Sequence, residues 1–214
     1  MDKLTLLLKE NWALLQELFE LPSNINTNAY GDEFFKNGEY ADSFEFHHQV
    51  TGKSGKTYTM VFRFFRRNLK THADNTRAYT VPHKGGSKEL QIAEKLIPVY
   101  EISFYPQEKE GSESRWELLN DIDPIKIITV NGYFAMFHAS QLAKLAVPSP
   151  FVDYIFRPYK EKHEKTLDAA NTKRGAFYQK AIPKVLESLS SKFKLKVLGV
   201  SQIDDFTMVK IKIA

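Results

Sequence analysis

The sequence has no cysteine. Disulfides, thiolate metal sites and a cysteine nucleophile are therefore excluded. No apolar run approaches the roughly 18 residues that a membrane-spanning helix needs. Asp2 and Lys3 precede only a short apolar run, which Lys9 and Glu10 end, so the secretory-leader pattern is missing too. These absences leave a soluble, cytoplasmic protein without membrane contact as the expectation. Hydrophobic residues make up 43% of the 214, including 16 Phe and 10 Tyr, enough for a sizeable core. The length fits a single domain over residues 1–214.

Charge is unevenly distributed. The net charge of +4 divides into −6 over residues 1–50, +7 over 51–90, −5 over 91–125 and +8 over 126–214. Such blocks predict separate acidic and basic surfaces. A basic surface attracts phosphate polyanions through counterion release, and an acidic one can dock a basic partner.

Hydrophobic spacing predicts an α+β fold. Leu4, Leu7, Leu8, Trp12, Leu15, Leu18 and Phe19 recur at helical steps, predicting a long N-terminal helix within residues 1–21. That helix is expected to pack on the domain or on a second protomer. SFEFHHQV and KTYTMVFRFF read as strands joined by a turn at TGKSG. Residues 66–86 read as a long loop, 88–96 as a short helix capped by Ser87, and 97–105 as a strand. Asn131-Gly132, between IKIITV and YFAMF, predicts a hairpin, because both residues tolerate positive φ. Helices are expected through SQLAKLA, near 150–168 and over 173–192, the last interrupted by Pro183. Strands KLKVLGV and DFTMVKIKI follow. The expectation is a mainly antiparallel sheet built from hairpins, with four to five helices.

Several short patterns touch on chemistry. Gly55-Lys56-Thr57 ends like a phosphate-binding loop, but Val50 stands where that pattern needs glycine, so a hairpin turn is the reading. His48, on the first strand of a hairpin and followed by Asn68, His72 and His83, has the layout of a ββα-metal nuclease, which would use Mg²⁺. Glu101-Ile102-Ser103 lacks the lysine of a metal-nuclease Glu-x-Lys element, and His138-Ala139-Ser140 is one copy of a His-x-Ser element of which phosphoesterases need two. Ser140 instead reads as a helix N-cap. Arg67-Asn68-Leu69-Lys70-Thr71-His72 resembles the Arg-Asn-x-x-x-His motif of the HEPN ribonucleases over these six residues. The resemblance implies that Arg67 and His72 act on a scissile phosphodiester without metal. Arg67, His72 and His48 are thus the candidate catalytic residues, with metal ligands unassigned.

The segment from Thr51 to His72 interleaves Lys53, Lys56, Arg63, Arg66, Arg67 and Lys70 with aromatic residues. On a strand, Tyr58, Met60, Phe62 and Phe64 share one face, and Thr57, Thr59, Val61, Arg63 and Phe65 share the other. These six basic residues are the expected phosphate contacts, with an exposed ring stacking on a base. The functional expectation is a DNA- or RNA-binding protein, its enzymatic version being a small nuclease of a mobile element or defence system. The alternative is a non-catalytic oligomeric interaction protein that uses its acidic and basic surfaces.

Overall fold

A computed structural model describes residues 34–67, 70–71, 77–83, 86–92, 97–107, 121–156, 173–203 and 206–213. The helix expected over 3–21 lies outside them, as does His72.

Strands β1 (Phe35–Lys36) and β2 (Glu39–Tyr40) form a short ladder. Next come β3 (Ser43–Thr51), β4 (Thr57–Arg66), β5 (Lys70–Thr71), β6 (Arg77–His83), β7 (Gly86–Ile92) and β8 (Val99–Pro106). Helix α1 (Pro124–Leu142), β9 (Phe151–Phe156), helix α2 (Lys173–Phe193), β10 (Lys196–Ile203) and β11 (Phe206–Lys212) complete the order. Six strands make the main sheet in the order β3-β4-β8-β9-β11-β10, and β5-β6-β7 make a separate three-stranded sheet.

In the main sheet β8 and β9 run parallel, joined through α1, while its other neighbours are antiparallel. The connection from β9 through α2 skips one place, and β11 fills the gap. Both crossovers step the same way along the sheet, so the right-handed rule places both helices on one face. The two helices pack on each other there.

Alternation sets that face. Phe46 of β3 pairs with Phe62 of β4, and Phe62 with Phe104 of β8. All three are buried, and Phe134 of α1 stacks on Phe46 with ring centroids 4.4 Å apart. Tyr58, Met60, Phe62 and Phe64 lie together in this core, as the alternation predicted.

Several expectations are corrected. The described residues contain two helices, not four to five, and the main sheet is mixed. Asn131-Gly132 is not a turn but the middle of α1. Asp123 caps that helix by accepting from the Ile125 amide at 2.9 Å, and Pro124 opens it, the position where a missing N–H does no harm. Gly132 serves helix–helix approach: a Cβ there would lie 2.7 Å from Cγ1 of Val185 on α2. Residues 86–92 are strand β7 rather than helix, and the 66–86 loop contains β5 and β6. The start of the helix expected at 150–168 is strand β9. Helix α2 forms as expected and continues through Pro183. Among the described residues, no helix is long and apolar enough to cross a membrane.

Candidate nucleic-acid interface

The hairpin that carries most of the predicted phosphate contacts divides them between its two ends. Lys53 and Lys56 lie exposed in the β3–β4 turn. The Lys56 ammonium sits 5.1 Å from the centroid of the Tyr58 ring. Asp121 fixes this turn. Its carboxylate accepts from the Ser54 amide at 2.8 Å, the Ser54 hydroxyl at 2.6 Å and the Tyr58 hydroxyl at 2.9 Å. These bonds, Ser54 first, hold the Asp121 carboxyl below the usual carboxylate range. Its carbonyl also accepts from the Lys53 amide at 2.8 Å. Gly52 admits the carboxylate, since a Cβ there would fall 2.1 Å from its Oδ2.

Arg66 and Arg67 lie at the far end of β4, about 30 Å away at roughly 3.3 Å per residue. Each arginine of this segment meets a carboxylate. Arg63 donates to Glu45 and lies over the rings of Phe65 and Tyr105, at 5.6 and 5.4 Å from their centroids. Arg66 donates to the Tyr40 carbonyl at 2.8 Å and pairs with Asp42 at 3.2 Å. Arg67 donates through Nε to Glu101 at 2.7 Å and contacts the same oxygen through Nη2. Glu101 is only 7% exposed, whereas the Arg67 side chain keeps 39% of its surface, so the pair lies at the edge of the sheet's buried region. Lys70 lies on β5.

The catalytic candidates do not converge in what is described. His48 is half-buried on the helix-facing side of β3, opposite Met60. Arg67 points to the other face, about seven residues or roughly 23 Å further along. No group of three or more His, Asp or Glu that could hold a metal ion occurs among the described residues. His138 is fully buried, with Nδ1 2.6 Å from the Tyr154 hydroxyl and the rings of Phe34, Phe44 and Tyr100 around it. Burial pushes its imidazole down to about 3, so it is neutral and closed to solvent at neutral pH. Ser140 does not cap a helix N-terminus; it lies in the last turn of α1 and donates to the Phe137 carbonyl at 2.7 Å.

A second basic surface lies where both helices end. Helix α2 terminates in a Schellman arrangement: the Leu195 amide donates to the Ser190 carbonyl at 3.1 Å, and the Lys194 amide to the Ser191 carbonyl at 3.4 Å. This puts Lys194 at φ +54°, the left-handed position where glycine is usual. The chain then enters β10, whose first residue, Lys196, pairs directly with Lys212 of β11. Beside them, α1 ends and Lys144 follows. A cleft of about 440 Å³ is lined by Ser140, Ala143, Lys144, Phe193, Lys194, Leu195, Lys196, Lys212 and Ile213. Among the described residues no carboxylate lines it, and Lys194, Lys196 and Lys212 have no acidic partner.

The sequence pattern did not single out any of these four lysines. Its only signals were the +8 of residues 126–214 and the alternation of lysine at 192, 194 and 196. Comparison with family models, curated proteins and solved structures gave no match to the chain.

Proposed function

We propose that the protein binds nucleic acid through its phosphate backbone, with Lys144, Lys194, Lys196 and Lys212 as principal contacts and the Lys53–Lys56 turn as a secondary one. The observation that carries this reading is Lys194. A side chain in the left-handed region costs about 1–2 kcal/mol, and glycine would avoid it. A lysine stands there, on the wall of a cleft that already holds like charges and, among the described residues, no carboxylate. Backbone strain beside a chemically coherent surface supports this reading of the position. The three hairpin arginines contribute less than their number implies, because Glu45, Asp42 and Glu101 offset them. The proposal is for binding; among the described residues His48 and Arg67 do not come together, and His72 lies outside them.

The test is fluorescence anisotropy with labelled DNA and RNA across a salt series, with and without Mg²⁺. Each phosphate that the protein neutralises adds about 0.7–0.9 to the slope of log affinity against log salt. Replacing Lys194, Lys196 and Lys212 by Ala should therefore flatten the slope by about 2–3. The Arg66→Ala, Arg67→Ala variant should change it little. A wild-type protein that binds no polyanion and elutes as a defined assembly would replace this reading with the oligomeric interaction protein.

A further inference from the structure

The cleft is more than a charged surface. Its lysines surround an apolar lining of Phe193, Leu195 and Ile213. Phe193 is the last residue of α2 and is half-buried, its ring 5.3 Å from that of Tyr133 in an edge-on contact. That contact and packing against the core hold the ring in place, and part of it lines the cleft. A volume of about 440 Å³ exceeds what one phosphate group needs and suits a whole nucleotide. A paired base inside a duplex cannot reach such a floor, whereas an unpaired one can leave its stack and lie on it.

Resting on the phosphate-binding reading above, we infer that this cleft is a subsite for an unpaired nucleotide, its base on Phe193 and Leu195 and its phosphates on the lysine rim. The ligand class is then single-stranded nucleic acid, or a single-stranded end or loop of a larger one. Charge complementarity favours this occupant over an apolar peptide, because among the described residues four lysines and no carboxylate line the space.

The experiment compares a labelled twelve-residue oligothymidine with a duplex of equal length. Wild-type protein should bind the single strand more tightly. Phe193→Leu keeps an apolar side chain but removes the ring, and should weaken single-strand binding by about fivefold to a hundredfold while leaving duplex binding unchanged. Oligothymidine carrying 5-iodouracil should photocrosslink to wild-type protein at Phe193 or Leu195, a readout that does not depend on a variant folding. If Phe193→Leu leaves single-strand affinity unchanged and no crosslink maps to the cleft, the subsite is overturned. In that case the lysine-to-alanine variants still decide the phosphate reading separately. Tighter binding to vesicles of phosphatidylserine and phosphatidylcholine than to oligothymidine, abolished in the lysine variants, would overturn the inference by naming a membrane surface as the occupant.

Discussion

Lys196 and Lys212 stand directly opposite each other across the β10–β11 ladder, both exposed. Like charges in such a pair destabilise a sheet, typically by a few tenths of a kcal/mol and up to about 1. Lys212→Glu turns the pair into an attractive one. It should raise stability by about 0.2–1 kcal/mol in urea unfolding and weaken polyanion binding in the same sample. A variant that gains stability and binds as before would show that the pair is unrelated to ligand.

Lys194→Gly should separate stability from binding in the same way. Relief of the left-handed strain, about 1–2 kcal/mol, exceeds the extra unfolded-state entropy of glycine, about 0.5–1 kcal/mol. The expected outcome is a gain of about 0.5–1 kcal/mol with a weaker, less salt-sensitive complex. Urea titration and anisotropy read the two effects independently.

At the helix crossing, Gly132→Ala meets Val185, whose Cγ1 would lie 2.7 Å from the new Cβ. Overpacking costs about 1–3 kcal/mol, against a helix-propensity gain of about 1. The substitution should destabilise the wild-type chain and stabilise one that already carries Val185→Ala. Such a reversal gives a coupling of about 0.5–3 kcal/mol in a double-mutant cycle.

His138 gives the fold a definite response to acid. Its folded-state value of about 3 lies below the ordinary 6.5 of an unfolded imidazole. The unfolded chain therefore takes up the proton first as pH falls. The stability linked to this residue is complete above about pH 6.5 and declines towards pH 3, by about 1.4 kcal/mol per pH unit once below that upper value. Urea midpoints at pH 7, 6 and 5 should fall more steeply in wild type than in His138→Phe. The variant itself starts lower, since the Tyr154 hydroxyl loses its 2.6 Å partner.

Two identical dipeptides show how far local sequence reached. Asn37-Gly38 joins β1 to β2 with φ of +54° and +82°, the conformation the pair favours in tight hairpins. Asn131-Gly132 sits in a helix of which 16 of 19 residues are buried. A helix enclosed on all sides shows no polar face, so its β-branched residues imitate strands. The Asp123-Pro124 cap was the legible sign of a helix there. The β3–β4 and β10–β11 hairpins were readable because alternation and a turn are local properties. Glu45 faces Arg63 within the β3–β4 hairpin, but the partner of Arg67 was not readable, because Glu101 comes from β8. The cleft was hidden for the same reason: its walls come from the ends of two helices and two strands, joined only by folding.

The place of β11 between β9 and β10 bears on how the molecule is made. A ribosome delivers β9, α2 and β10 before β11, so β10 emerges with no described sheet neighbour to pair with. Until residue 212 has cleared the exit tunnel, β9 presents an open edge, and the strand bearing Lys196 waits unpaired. The lysine cleft is thus complete only once β11 has joined the sheet, after β10 has already been made.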